Sequence, residues 1–474
     1  MKTDFYGILP YGATPNYRQI RMFEIGKKAF FHFGVNTFTN LEWGDGSEKE
    51  SAFNPTDMNV RAWIRDAKSA GFELAIITAK HHDGFCLWPS KHTAHSVAAS
   101  PFRGGKGDVV AEVTEACRKH GLKFGIYLSP WDRNQPLYGT GKPYDDYFVA
   151  QLTELLTNYG DIFCVWFDGA CGEGPNGKKQ YYDWDRYYDV IRTLQPNACI
   201  HVCGPDIRWC GNEAGNTRPS EWSVVPRRTA DTEKIASSSQ QADCVDFRLR
   251  KISAGDLDLG SRQALAGETD LIWYPAEVNT SIRPGWFYHA AEDDLVKPLD
   301  KLIDIYEKTV GGNATFLLNI PPTREGLFHE KDVARLHEFG AYLKECYGRN
   351  LMDAATALLS SPAADGHPID SVRTDDNSYY IPAHKDGTAE ITIQWSTVQA
   401  IRRIVLKEQI QKSQRIERFA IDAWQNGHWQ TIAENTVVGY KRIVSPGKIQ
   451  TSALRIRILD ARVAPTLKFI GVYA

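Results

Sequence analysis

The sequence predicts a (β/α)8 barrel followed by a small all-β sandwich. Over about the first 340 residues, amphipathic helices alternate with apolar strands in seven or eight units, which favours a closed barrel over an open sheet. No glycine-rich phosphate-binding motif follows a strand, which argues against nucleotide-binding folds. We therefore predict a barrel over residues 1–345 and a sandwich over residues 346–474, with a linker at about residues 346–365.

Each barrel unit shows the same three features in the sequence: an amphipathic helix, a glycine that ends it, and an apolar run that forms the next strand. The helices at residues 59–70 and 148–159 and the helix capped by Asp108 each end at a glycine, the expected stop after the last helical turn. After a first strand at residues 28–35, the runs read as strands are residues 72–78, 122–128, 161–167, 198–203, 271–277 and 314–320.

Beyond about residue 355 the pattern becomes that of an antiparallel β domain. Short runs alternate between apolar and polar residues, as in AEITIQW and ALRIRIL. Asn426-Gly427 separates two such runs and is the strongest short-range signal for a hairpin. These observations predict a sandwich.

Composition excludes several classes of partner. With 55 basic and 58 acidic residues the formal charge is −3, so we expect no binding to nucleic acid or to an anionic membrane surface. No run approaches the roughly 18 apolar residues of a membrane span. The nine cysteines form no CxxC pair and are expected to be buried free thiols. Nothing in the sequence indicates an oligomeric state.

Polar and aromatic side chains follow the strands, where a barrel of this kind assembles its active site. Each type alone is more often structural: a tryptophan in an apolar run is usually core, and Asp-Gly after a strand is usually a turn. Their shared position at one end of the barrel favours function. The candidates, in chain order, are His32, Glu42, Trp43, His81, His82, Asp83, Tyr127, Trp166, Asp168, Arg208, Glu213, Glu277 and Trp286.

Two chemistries fit this set. Histidines with Asp83 and Asp168 could hold a metal ion for hydrolysis, although barrel amidohydrolases typically carry HxH on the first strand and this chain has HFG. Alternatively, paired carboxylates could cleave a glycosidic bond while histidines bind hydroxyls and tryptophans stack on the sugar. We favour the second chemistry, because it accounts for aromatics, histidines and carboxylates together without a cofactor.

The motifs HFGVNTFT, AKHHDGFCLWPSKHT, GIYLSPWDRN and VWFDGA, in this order, resemble glycoside hydrolase family 29, the α-L-fucosidases. The resemblance covers the barrel, and the segments VLKEQIQKSQRIERF and VVGYKR are similar to the β-sandwich of many members. It implies a retaining mechanism in which Asp168 is the nucleophile. It also implies a fucose site made of His32, Glu42, Trp43, His81, His82, Tyr127 and Trp166, with Trp286 against the C5 methyl group.

Two further segments bear on the acid/base residue. The segments GNEAG and EWS resemble the branch selective for α-1,3/1,4-linked fucose, which implies that Glu213 is the acid/base and that Arg208 binds sugar hydroxyls. Glu277 is the competing candidate, because it ends the apolar run LIWYPAE and is predicted to follow a strand. A retaining mechanism requires the two carboxyl groups to be about 5–5.5 Å apart.

The sequence thus predicts an exo-acting, retaining α-L-fucosidase of branched glycans that needs no metal or other cofactor. Its expected partner is a fucosylated oligosaccharide, and its expected location is periplasmic or secreted, although the chain begins without a signal peptide. The alternatives are a metal-dependent barrel hydrolase and a catalytically silent fucose-binding protein.

Overall fold

The computed structural model describes residues 12–232, 257–384 and 386–474. In its first part, apolar strands alternate with amphipathic helices. The strands are β1 (Lys27–Phe31), β2 (Leu74–Lys80), β3 (Lys123–Leu128), β4 (Cys164–Phe167), β5 (Cys199–Val202), β6 (Arg208–Trp209), β7 (Val224–Pro226), β8 (Leu271–Trp273), β9 (Ala276–Ser281) and β10 (Thr315–Asn319). The helices are α1 (Tyr17–Ile25), α2 (Val35–Thr39), α3 (Val60–Ser69), α4 (Val109–His120), α5 (Lys142–Asn158), α6 (Trp184–Leu194), α7 (Leu299–Thr309) and α8 (Glu330–Tyr347).

Eight parallel strands form a nearly closed barrel. Their order is β5-β4-β3-β2-β1-β10-β9-β6, and a parallel bridge between His201 and Ile207 links β5 to the start of β6. The predicted barrel is confirmed. The helix stops act as expected: Asp108 accepts a hydrogen bond of 2.8 Å from Ala111 N, and Gly121 ends α4 with φ +70°.

One predicted strand is wrong. The run LIWYPAE at residues 271–277 is not continuous, because Leu271–Trp273 pairs antiparallel with β7 in a separate two-stranded sheet. The barrel strand starts only at Ala276, so Glu277 lies at the beginning of β9 and does not follow a strand. The two strands are separated at Tyr274-Pro275, and a proline cannot donate to a sheet ladder.

The second part of the chain is antiparallel. A sheet ordered β11-β12-β17-β14-β15 and a sheet ordered β16-β13-β18 enclose an apolar core. The Asn426-Gly427 hairpin is present, with φ +51° and +81°. The strands are β11 (Ala357–Ser360), β12 (Ala389–Ile401), β13 (Arg403–Glu408), β14 (Ile416–Gln425), β15 (His428–Thr436), β16 (Arg442–Val444), β17 (Ile449–Ala461) and β18 (Leu467–Tyr473).

The two parts pack against each other. Val405, Ile443 and Tyr473 of the smaller sheet are buried within the apolar cluster of the barrel. The region expected as a linker, residues 346–365, holds the end of α8 and also β11, which pairs with β12.

The described cysteines form no disulfide with one another, and all are buried except the half-buried Cys346, while Cys244 lies outside the described residues. Among the described helices, none has the length and hydropathy to cross a membrane.

Candidate active site

The carboxyl ends of the first four barrel strands bring the predicted site residues together. Asp168 directly follows β4, and Trp166 lies within that strand. Tyr127 is near the end of β3, His81 and His82 follow β2, and His32 follows β1. All except Asp168 are buried, and Asp168 keeps 22% of its side chain exposed. The barrel therefore presents one accessible carboxylate among buried aromatic and imidazole rings.

Asp168 is held by donors on both carboxylate oxygens. The Tyr127 hydroxyl donates to Oδ2 at 2.9 Å, and the Ala170 backbone N–H donates to Oδ1 at 2.8 Å. His82 Nε2 is 3.9 Å from Oδ2. Burial and the nearby Asp168 charge raise the pKa of Tyr127 well above its usual value, so its hydroxyl stays protonated and can donate.

The histidines are neutral. Burial lowers the pKa of His32 and of His82 to about 4, and it lowers the pKa of His81 well below its usual value. Buried neutral imidazoles can donate from one ring nitrogen and accept at the other, which suits the recognition of sugar hydroxyls.

Neighbouring groups set the tautomers of two of these rings. His32 Nδ1 lies 2.9 Å from Asn319 Oδ1, which can only accept, so this nitrogen carries the proton. His82 Nδ1 lies 2.7 Å from Ser129 Oγ, whose own proton is donated to Trp131 O at 2.7 Å. In both rings Nε2 is therefore the accepting nitrogen.

His81 differs from the other two histidines. Its Nδ1 is buried and has no hydrogen-bond partner among the described residues. An unsatisfied buried polar atom is costly in a folded protein and calls for an explanation. The nearest acidic oxygen, Asp83 Oδ2, is 3.9 Å from this nitrogen and so lies outside hydrogen-bond distance.

Glu42 holds the loop that carries Trp286. Its carboxylate accepts hydrogen bonds from Trp286 N at 2.8 Å, from Phe287 N at 3.1 Å and from His289 Nε2 at 2.7 Å. The ring of Trp286 lies over His32 with a centroid distance of 5.0 Å. Its Nε1 donates to Glu213 Oε2 at 2.9 Å. The Glu42 contact thus places an indole ring between the histidines and Glu213.

A short ordered loop carries Glu213. The buried Asn212 accepts from Ala214 N at 3.0 Å and from Asn216 N at 3.1 Å, and its Nδ2 donates to Asn216 O at 2.9 Å. Gly215 has φ +80°, and a Cβ there would lie 2.9 Å from the Ile305 side chain of α7. The loop is therefore fixed by its own side chains and by close packing, while Glu213 is half-buried.

Glu277 has different surroundings. It is 1% exposed inside the barrel, forms an ion pair with Lys28, and accepts from His201 Nδ1 at 3.0 Å and from Trp166 Nε1 at 2.7 Å. Burial alone would raise its pKa, but Lys28 and His201 outweigh burial and hold the pKa of Glu277 far below its usual value. A carboxylate locked in this way is poorly suited to deliver a proton.

Arg208 and Trp43 occupy different parts of the structure. The Arg208 guanidinium donates to Tyr274 O at 2.9 Å and to Trp222 O at 2.9 Å, and it forms an ion pair with Glu221. Among the described residues, none of these partners is another predicted site residue. Trp43 meets the His82 ring edge-on at 5.4 Å and so belongs to the histidine cluster.

Three polar or aromatic residues near the site were missed from the sequence. Asn319 and Ser129 fix the histidine tautomers, and Trp209 donates from Nε1 to Asn279 Oδ1 at 2.8 Å. Trp209 pairs in register with Glu277, so both side chains project from the same face of the strands. The end of the run ATFLLNI pointed to Asn319, whereas a two-residue strand gives no periodic signal for Trp209.

No group of three or more His, Cys, Asp or Glu side chains within residues 12–232, 257–384 and 386–474 is arranged to hold a metal ion. Among the predicted metal ligands, His81 Nδ1 is 3.9 Å from Asp83 Oδ2. Asp83 instead accepts from Asn36 Nδ2 at 3.0 Å and from Phe85 N at 2.7 Å.

Comparison with known proteins identifies the family of this chain. The family model for alpha-L-fucosidase matches residues 19–348. Alpha-L-fucosidase 1 of Arabidopsis thaliana is 38% identical over 476 residues, covering 98% of this chain and 88% of the plant protein.

Two solved structures extend the similarity over nearly the whole chain. A glycoside hydrolase 29 family member from an unknown rumen bacterium has a TM-score of 0.80 at 37% identity, covering 98% of this chain and 78% of that protein. The GH29 fucosidase of Ruminococcus gnavus in complex with fucose has a TM-score of 0.84 at 28% identity, covering 98% and 95%. The chain therefore belongs to glycoside hydrolase family 29 and is an α-L-fucosidase.

Proposed function

We propose that this α-L-fucosidase is a retaining exo-enzyme in which Asp168 is the nucleophile and Glu213 is the acid/base. The observation that carries the proposal is the contrast between the carboxylates. Asp168 is partly exposed at the end of β4 and fixed by Tyr127, whereas Glu277 is paired with Lys28 inside the barrel. The assignment of Glu213 is supported by the hydrogen bond that it accepts from Trp286, whose ring lies beside His32.

In the first step, Asp168 attacks the anomeric carbon of a terminal fucose. The bond to the leaving oxygen breaks as Glu213 donates its proton to that oxygen, and a β-fucosyl ester of Asp168 forms. In the second step, Glu213, now a carboxylate, removes a proton from water while the water oxygen attacks the same carbon. Asp168 leaves as a carboxylate, and the net reaction consumes one water and releases α-L-fucose.

We assign sugar recognition to the rings around Asp168. His32 and His82 accept hydroxyl protons at Nε2, and the His81 ring lies beside both of them, with centroid distances of 5.7 Å to His32 and 4.1 Å to His82. Trp286 provides an apolar surface against the C5 methyl group, where an added hydroxyl would be left without a partner. The complex of the Ruminococcus gnavus relative with fucose supports this choice of sugar.

For the linkage, we propose α-1,3/1,4-linked fucose on branched, fucosylated oligosaccharides. The support is the GNEAG segment, residues 211–215, in which Glu213 lies. A panel of fucosyl disaccharides and branched glycans tests this proposal. Faster release from α-1,2-linked disaccharides than from the branched glycans would contradict it.

The catalytic roles are tested by substitution and rescue. Asp168→Asn should lower kcat by about a thousandfold or more with the fold intact, because the nucleophile is removed. Glu213→Ala should regain activity with azide and release β-fucosyl azide, since azide attacks the fucosyl ester without needing a general base. Glu277→Ala is assayed in the same way, and azide rescue there instead of at Glu213 would move the acid/base role to Glu277.

A further inference from the structure

The segment that carries Glu213 continues along the chain until it rests on the C-terminal sheets. Ser220 Oγ and Thr436 Oγ1 are 2.6 Å apart, and Thr436 Oγ1 also donates to Pro219 O at 3.5 Å. Arg442 NH1 donates to the same carbonyl at 3.4 Å. The last residue of β15 and the first of β16 therefore contact residues 219–220 directly.

A second, buried contact lies three residues further on. The Ser223 N–H donates to Gln414 Oε1 at 2.8 Å, and Gln414 is fully buried. Asn313, which precedes β10, donates to Glu221 O at 2.8 Å and accepts from Tyr440 N at 2.8 Å. Residues 219–223 are thus held between the barrel and the sandwich.

A buried charge cluster connects this held segment to the Glu213 loop. The Glu221 carboxylate is fully buried and lies between Arg208 and Arg218. Burial would raise the pKa of Glu221, but the two guanidinium groups outweigh burial and keep the pKa below its usual value. Arg218 NH1 also donates to Cys210 O at 3.0 Å, at the start of the loop.

We propose that the C-terminal sandwich positions the general acid, with Thr436 and Gln414 as positioning residues for Glu213. The inference rests on the proposed acid/base role of Glu213. The contacts run from Thr436 and Gln414 to residues 219–223. They continue from Glu221 to Arg218, and from Arg218 to Cys210. Glu213 can transfer a proton only if its carboxyl group lies within hydrogen-bond distance of the leaving oxygen. A small shift of this segment therefore slows the proton transfer.

The test uses aryl α-L-fucosides whose leaving groups span a range of pKa. A misplaced general acid matters most for a poor leaving group, because a good leaving group departs without a proton. Thr436→Val keeps the side-chain shape and removes the hydroxyl. We expect its kcat/KM to fall about fivefold for the poorest leaving group, the equivalent of one hydrogen bond, and to stay near wild type for the best.

Ser445→Ala is the matched control. Ser445 Oγ donates to Glu307 Oε2 at 2.7 Å, which is a hydrogen bond between sandwich and barrel of the same kind but away from the Glu213 segment. We expect any decrease in kcat/KM of this variant to be the same for every aryl fucoside in the series. Gln414→Met provides a second variant, with Tm measured for all.

Glu213→Ala in the same series separates the two proposals. Both proposals are supported if the loss of kcat/KM rises steeply with leaving-group pKa for Glu213→Ala and for Thr436→Val, but does not change with it for Ser445→Ala. A steep dependence for Glu213→Ala with flat losses for Thr436→Val and Gln414→Met overturns the positioning role alone. A flat dependence for Glu213→Ala overturns the acid/base assignment and this inference with it.

Discussion

Asp168 and Glu277 are both carboxylates of the barrel, but their surroundings differ in charge and in access to water. Asp168 is hydrogen-bonded by neutral donors and keeps 22% of its side chain exposed. Glu277 is 1% exposed and pairs with Lys28 and His201. The first arrangement leaves a carboxylate able to react, and the second builds a structural ion pair that anchors Trp166.

At Glu277 we predict a loss of stability. Glu277→Gln leaves the Lys28 charge uncompensated in the barrel interior, and breaking a buried ion pair from one side costs about 3–5 kcal/mol. Urea unfolding would measure this loss. The double variant Lys28→Met with Glu277→Leu removes both charges and should recover part of it. Glu277→Gln with wild-type stability would show that the pair is not structural.

At His82 we predict a pH-dependent stability. Burial lowers its pKa from 6.5 to about 4, so between these values the unfolded chain binds a proton that the folded chain does not. Above pH 6.5, His82 is neutral in both the folded and the unfolded chain, so it does not lower the stability. As the pH falls from 6.5 towards 4, the unfolded chain takes up the proton and the free energy of unfolding decreases. Relative to His82→Gln, the wild-type free energy of unfolding should fall by about 1.4 kcal/mol per pH unit over this range.

The comparison with the variant is needed because other buried groups act in the opposite direction. Burial raises the pKa of Asp83 to about 6 and that of Glu408 to about 7. Their folded forms bind protons that their unfolded forms release, so they stabilise the fold as the pH falls into this range. Equal pH slopes for wild type and His82→Gln would contradict the assignment of a neutral His82.

At the scale of single elements, the strand ends were the predictable part of the site. An apolar run that ends in a polar residue is visible in the sequence, so His32, His81, His82 and Asp168 could be placed at one end of the barrel. β6 and β9 were harder, because β6 has only two residues and the run before β9 is broken at Tyr274-Pro275. Glu277 was misplaced for this reason.

The loop holding Trp286 gives a prediction for Glu42. Glu42→Ala removes the acceptor of two backbone N–H groups and of His289, so the loop should loosen and KM should rise by about tenfold. Hydrogen exchange of the Trp286 and Phe287 amides measures the loosening directly. His289→Ala is the control, because it leaves both backbone contacts in place.

The two possible roles of Glu42 give different results. Faster amide exchange together with a higher KM supports the anchoring role. A raised KM with unchanged amide exchange would assign Glu42 to sugar contact alone, as the sequence resemblance implies.

At the scale of the whole molecule, the barrel and the sandwich could be predicted because each has a local pattern of apolar and polar residues that repeats along the sequence. It could not predict how they meet. The contacts of Thr436 and Gln414 with residues 219–223 join positions about 200 residues apart and leave no periodic pattern. The Glu213 loop belongs to the same class, since its placement depends on packing against α7 and on the hydrogen bond with Trp286.

Trapping the covalent intermediate tests the central claim most directly. In a 2-deoxy-2-fluoro-L-fucosyl fluoride, the ring fluorine slows both steps while the fluoride leaving group speeds the first, so the fucosyl enzyme accumulates. Mass spectrometry of the digested protein then locates the added sugar. We predict a single label on Asp168 in the peptide containing VWFDGA. A label on another carboxylate would contradict the assignment of the nucleophile.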